Sequence, residues 1–388
     1  MVMIPKYMPI LKAKKGEFDA YKNLSRTVQL STLPIFELPR LTNKMLESNT
    51  YSALSNPYEH FINKCALELS SSVSVPTLAV DIHAWAPNST IENGEHILSV
   101  FCSSLTTHGC EVIPVVGYDR WEDEEYSTIL KLLARTKERF ILRLDSFAFE
   151  DMVEEDLFLE NLEDIITSMD LDTTKCSVLL DFNDVSKLSI IDIEEQIDTA
   201  LSMLSNYHFN FISIAGCSVT TDVNGMVPSI NSTGLVVRKE FKVWRSVRTF
   251  NSSLNFVFGD YGIANPNVTD GLIAPDANGK IRYTTSDSYF VVRGYSRRQG
   301  EKGAQMHKLC QTLINSSHFC GASFSWGDKM IETCANHGKV NGRTFVGNPT
   351  SWVSIDTTHH MTFVTQEVVE FERSLSTTSL FRESSLNK

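Results

Sequence analysis

Four carboxylates, Glu37, Asp81, Asp181 and Asp260, stand at or near the ends of four short apolar runs far apart in the chain, and the cations Lys12, Lys14 and Arg143 belong to two more. Hard oxygen donors gathered round one cavity suit Mg²⁺ or Mn²⁺, which clamps a phosphoryl group and activates water. The cations would neutralise charge building on the phosphate. Phosphodiester or nucleotide hydrolysis is the chemistry such a set would perform. The four carboxylates would hold the metal, and Lys12, Glu37 and Asp181 would act in catalysis. His360, from the adjacent pair His359 and His360, would move a proton. Neighbouring side chains diverge by about 100° on a helix, so the two histidines would not chelate one ion together; two buried, hydrogen-bonded rings are the other reading. His83, just past Asp81, is a further candidate of the same kind. Lys14, Tyr118, Arg143, Tyr261, Tyr283 and Arg293 complete the set as ligand-binding groups, although Tyr118 and Tyr261 also fit as rim packing and the segment bearing Tyr283 and Arg293 as a solvated hairpin.

Parallel strands are what would bring these positions together. Eight β-rich runs recur before residue 262: Met8 to Lys12, Leu33 to Leu38, Thr77 to Ile82, Glu111 to Gly117, Phe140 to Asp145, Ser177 to Phe182, Phe209 to Ala215 and Asn255 to Tyr261. Roughly 20 to 40 residues separate each run from the next, the room that one crossover helix needs. Eight such units predict an α/β fold, a (β/α)8 TIM-barrel-like domain over residues 1–271, with the strand ends converging on one mouth. Phe18, Tyr21 and Leu24 give helical spacing after the first run, and a helix is expected from about Ile191 to Leu204. Too many residues follow Tyr261 for one closing helix. A C-terminal α+β elaboration is therefore expected over 272–372, with strands at Lys280–Tyr283 and Ser288–Gly294, helices near Gln305–Asn315 and Asp328–Asn336, and a last long helix within Pro349–Phe371. A serine-rich tail, 373–388, is expected to fray.

Charges at barrel-strand ends also form internal ion pairs, and Lys12 with Glu37 on adjacent strands is an obvious one. Asp145 reads as the cap of the next helix rather than as a site residue. Trp326 and Trp352 read as anchors of the elaboration, with base stacking as the alternative.

The formal charge of −12 and 42% hydrophobic content describe a globular chain without broad attraction to nucleic acid or anionic membranes, while leaving room for a local basic site. The start lacks a secretory signal and no run is long and apolar enough to span a membrane, so a cytoplasmic location and reduced cysteines are expected. The eight cysteines form no C-x-x-C pair. No phosphate-binding G-x-x-x-x-G-K-[ST], dinucleotide G-x-G-x-x-G or G-x-S-x-G motif supports a nucleotide cofactor or a serine hydrolase.

Met8-Pro9-Ile10-Leu11-Lys12 with Lys14, Gly16 and Glu17, followed by Leu33-Pro34-Ile35-Phe36-Glu37-Leu38-Pro39, resembles the opening of the bacterial and phage "beta protein" family. Phe319-Cys320-Gly321-Ala322, Phe324-Ser325-Trp326-Gly327-Asp328, Gly347-Asn348 with Thr350 and Trp352, and Thr358-His359-His360 resemble its C-terminal signature. Asp260-Tyr261-Gly262, Arg282-Tyr283-Thr284 and Arg293-Gly294 fit as well. Ala13 departs from the pattern, which has a bulky residue there, so no stacking role is assigned to that position. The resemblance implies a barrel-like protein of phage-defence or mobile-element settings and brings no established chemistry with it.

The expected function is thus binding or metal-assisted hydrolysis of a phosphorylated small molecule or nucleic acid. Two alternatives stand beside it. One is a noncatalytic sensor that recognises a ligand or phage component and signals to a protein partner; the other is a purely structural salt network.

Overall fold

The computed structural model describes residues 4–251, 254–268, 277–299 and 303–386, with side chains through 376. The expected domain boundary at 271/272, the first three residues and the last two of the tail lie outside these.

Eight parallel strands close into a barrel: β1 (Tyr7–Lys12), β2 (Ile35–Glu37), β3 (Thr77–Asp81), β4 (Glu111–Gly117), β5 (Ile141–Leu144), β6 (Ser177–Asp184), β7 (Ile212–Cys217) and, after one strand that leaves the barrel, β9 (Phe256–Asp260). All eight expected runs are present in chain order. β9 pairs with both β7 and β1, which closes the ring.

Strand alternation sorts the side chains into two cores. Met8, Ile10, Ile35, Ala79, Ile113, Val115, Ile141, Leu179 and Val257 fill the barrel interior. Tyr7, Leu11, Phe36, Val80, Val116, Leu142, Leu180 and Phe258 face outward and pack under the helices. The helices begin where the sequence supplies acceptors for free N–H groups: Ser25, Asp123, Asp145 and Ser189 each cap one. Asp145 is the cap that its position suggested.

The elaboration is built on a three-stranded antiparallel sheet ordered β10 (Asn278–Thr284), β11 (Ser288–Ser296), β8 (Ser232–Val237). Two of its strands were expected. The third, β8, comes from the connection between barrel strands β7 and β9, so barrel and elaboration are sewn together. Helices Gln305–Ile314 and Trp326–Ala335 pack with this sheet around Ile281, Tyr283, Leu309, Ile331, Trp352 and Ile355, and Trp352 is the anchor expected of it.

The chain then enters one long helix, Pro349–Leu386, which takes in most of the serine-rich tail. Met361, Val364 and Val368 join the core under the barrel helices, and Ser354 and Thr358 donate to the Gly16 and Ala20 carbonyls of helix Lys15–Lys22. This is the closing helix of the barrel, delayed until the elaboration has been made. Gly327 permits the packing, because a Cβ there would overlap the Ile355 carbonyl. All eight cysteines are free thiols, seven of them buried. No helix of the described residues is long and apolar enough to cross a membrane.

Candidate functional site

The inward residues at the carboxyl end of the barrel form one buried network. Lys12 lies in register with Glu37, and Glu37 with Asp81, so three adjacent strands present charge at the same level. Arg143 reaches in from β5 and is 1% exposed. Its Nη1 donates to Glu37 Oε1 at 2.8 Å and to Asp81 Oδ2 at 2.6 Å, its Nε to Asp181 Oδ2 at 2.9 Å, and its Nη2 to the Tyr261 hydroxyl at 2.8 Å. Tyr261 in turn donates to Asp181 at 2.6 Å. Lys12 holds the second oxygen of Glu37 at 2.6 Å. Arg120 holds that of Asp81 at 2.8 Å, and the backbone N–H of Asn183 donates to Asp181 Oδ1 at 3.0 Å.

Arg120 was not foreseen. It sits in the turn after β4, and Gly117 at the end of that strand leaves the space its guanidinium occupies. The signal available was a glycine three residues before an arginine at a barrel-strand exit, which does not by itself specify an inward ion pair.

Burial alone would raise the carboxyl of Glu37, but the Arg143 guanidinium and then the Lys12 ammonium outweigh it and hold the group at about 2. Asp81 is likewise held low, with Arg120 and Arg143 outweighing burial. His83 sits beside these charges; Arg143 first and burial second push it down, and its Nδ1 finds no hydrogen-bond partner among the described residues.

The expected tetrad of metal ligands does not assemble. Asp260 is on the other parity of β9, so it points out of the barrel into the helix layer. There Tyr7 donates to its Oδ1 at 2.5 Å, and His360 Nε2 donates to Oδ2 at 2.9 Å. The Thr284 hydroxyl lies 2.8 Å from His360 Nδ1. His360 is wholly buried, which pushes its pKa down, and it ties the closing helix to β1, β9 and β10 instead of facing the mouth. Every oxygen of the remaining three carboxylates already accepts from a cation or an N–H. Among the described residues no group of three or more His, Cys, Asp and Glu side chains is placed to hold a metal ion. The donor set as arranged does not fit the expected Mg²⁺ or Mn²⁺.

Three other expected ligand groups also lie elsewhere. Tyr118 turns outward, donating to Asp151 at 2.8 Å and packing on Phe158. Tyr283 donates to Asp328 at 2.5 Å and stacks on His359, whose ring is held by Asp328 and the Thr284 carbonyl. Arg293 donates to the carbonyls of Val227 and Pro228, fastening β11 to the loop before β8. In each case the sequence marked a residue that the fold uses to join its parts.

Above the network, between the barrel mouth and the elaboration, is a cleft of about 700 Å³. Among the described residues six cationic side chains line it: Lys12, Lys14 and Lys15 from β1 and the turn after it, and Lys280, Arg282 and Arg297 from β10 and the segment following β11. Two carboxylates of the described residues join them, Glu17 and Asp356. Burial pushes Glu17 up to about 7 and Asp356 up to about 6. Lys280 is pushed down to about 8, by the charge of Arg282 first and burial second. The first turns of helices Lys15–Lys22 and Pro349–Leu386 line the same space, which adds two positive dipole ends.

Of these cleft residues, sequence reading identified Lys12 and Lys14. Lys280, Arg282 and Arg297 come from distant elements, and the chain's acidic balance gave no hint that they would meet Lys15.

Glu17 gives the cleft a pH dependence. Its folded value, about 7, lies above its ordinary 4.5, so folding favours the protonated acid and stability falls as pH rises from about 4.5 through 7. Glu17→Gln should therefore gain stability on the wild type by roughly 1–3 kcal/mol at pH 8 and by little at pH 4.5. Urea midpoints at the two pH values test this. Equal differences at both would mean that folding leaves the Glu17 carboxyl at its ordinary value.

The architecture is that of a parallel eight-stranded α/β barrel, TIM-barrel-like, carrying a three-stranded antiparallel sheet and a basic cleft at its carboxyl end. The chain belongs to the Beta protein family, whose pattern it matches over residues 7–366. No curated protein matches it.

Proposed function

We propose that this barrel binds a phosphorylated ligand in the cleft between its mouth and its elaboration. The observation that carries the reading is the concentration, among the described residues, of six cations against two carboxylates in one cleft of a chain whose net charge is −12. Gathering like charges in a partly buried cleft costs free energy, as the depressed Lys280 records, and an anion would remove that cost. The volume lies within the range of small-molecule sites.

Ligand sensing is favoured over metal-assisted hydrolysis, because the mouth carboxylates are all committed to Arg143, Arg120, Lys12, Tyr261 and backbone N–H groups. The phage or mobile-element setting, a cytoplasmic location and a responding protein partner belong to this proposal.

Calorimetric titration with sodium tripolyphosphate, without added metal, is the test. Binding is expected at low ionic strength, weakening as salt screens the cleft, and Lys280→Glu should weaken it at least tenfold. Bound tripolyphosphate should also raise the thermal midpoint. Neither heat nor a midpoint shift at millimolar tripolyphosphate would overturn the reading.

A further inference from the structure

Lys14 and Lys15 wall two cavities at once. Beside the basic cleft, and separated from it by the turn that carries these lysines, lies a second cavity of about 380 Å³. Its interior is apolar and largely aromatic: Phe18, Tyr51, Phe61, Met45 and Cys65 line it. Tyr51 and Phe61 meet edge to face with ring centroids 6.3 Å apart, which fixes the wall they make. Polar groups complete the lining. Thr42, Glu68, Arg40 and Lys64 supply a hydroxyl, a carboxylate, a guanidinium and an ammonium, and the Arg40 side chain is anchored by donating to the Ala84 carbonyl.

We infer that the anion of the basic cleft is the phosphate end of a nucleotide whose base occupies this second cavity. The inference rests on the anion-binding reading above and adds the organic half of the ligand. An inorganic anion would use only the cleft and leave an apolar cavity open at its side. An alkyl chain would use the apolar wall but has no need of donors and acceptors around it. A base needs both: a π-face to lie against aromatic side chains, and polar partners for its edge. The shared lysines set the geometry. A molecule passing from one cavity to the other crosses Lys14 and Lys15 at the first turn of helix Lys15–Lys22, where a phosphate next to the sugar meets both an ammonium group and backbone N–H groups. No phosphate-binding sequence motif is needed for this arrangement. The contacts come from separate barrel loops and the elaboration, which is why no contiguous fingerprint announces it.

The full chain titrated calorimetrically with ATP, tripolyphosphate and decyl phosphate, without added metal, separates the possibilities. ATP should bind at least tenfold more tightly than tripolyphosphate, and more tightly than decyl phosphate. Tyr51→Ala should remove most of the ATP advantage and leave tripolyphosphate binding unchanged. Met45→Ala, at a half-buried position, gives the same comparison should the tyrosine variant not fold. Equal affinity for ATP and tripolyphosphate would overturn the base assignment while the anion reading stands. Tighter binding of decyl phosphate than of ATP would give the cavity to an alkyl chain and overturn the inference. No binding of either ATP or tripolyphosphate would overturn the anion reading itself.

Discussion

Replacing Arg143 by methionine should destabilise the folded chain by about 3–5 kcal/mol at pH 8, the range for removing one partner from a buried ion-pair network. The guanidinium touches Glu37, Asp81 and Asp181 at once, and none of the three is more than 2% exposed. Methionine matches much of the volume, so the loss is electrostatic and not a cavity. The pH dependence identifies the cause. In the wild type, Glu37 lies at about 2, below its ordinary 4.5, so its contribution is fully present above about 4.5 and is lost as pH falls toward 2. Without Arg143, Glu37 keeps only Lys12 and Asp81 only Arg120 against their burial, so charging them favours folding less. The deficit of Arg143→Met should therefore shrink as pH is lowered from 8 to below about 4.5, and adding Asp181→Asn should recover part of it at pH 8. Urea unfolding of the wild type and both variants at the two pH values measures this. A deficit under 1 kcal/mol at pH 8 would mean that the three carboxylates do not depend on one cation.

This network shows what one sequence can and cannot disclose. Strand number, order and exits were legible because each parallel strand must be apolar, short and followed by a crossover, and all three requirements leave marks in the chain. Parity at the strand end left none that was used. In Phe256-Val257-Phe258-Gly259-Asp260-Tyr261 the aromatic residues Phe256 and Phe258 pack outward, and Asp260 follows them while Tyr261 turns in. Counting by twos from the larger apolar residues would have moved Asp260 out of the mouth. β8 was missed for a different reason. Its exposed Thr233, Leu235 and Val237 alternate with half-buried neighbours, and its partner β11 lies more than fifty residues downstream, so nothing local distinguishes Ser232–Val237 from a loop. The basic cleft needed the tertiary fold outright, because half of its cations come from the elaboration.

Lys12→Met should weaken tripolyphosphate binding at least tenfold, or about 1.4 kcal/mol, while lowering stability by only about 1–2 kcal/mol. Lys12 stands where the two systems meet: its ammonium is 2.6 Å from Glu37 Oε2, yet the side chain is 21% exposed and lines the cleft. Glu37 keeps Arg143 on its other oxygen in the variant, and the freed oxygen faces the side from which solvent reaches Lys12, so the structural loss is smaller than at Arg143. The functional loss differs in kind, because the cleft loses the cation that pairs with Glu37 and acquires the unmatched charge of that carboxylate beside the ligand. Lys242→Met, an exposed change on the outer helix Lys239–Phe250, carries the same loss of net charge and should leave binding unaltered. Unchanged tripolyphosphate affinity in Lys12→Met would mean that Lys12 serves only Glu37, and the mouth would then be a structural network separate from the cleft above it. A selective loss would mean that the network and the cleft form one site, with the buried carboxylates positioning the ammonium that meets the ligand.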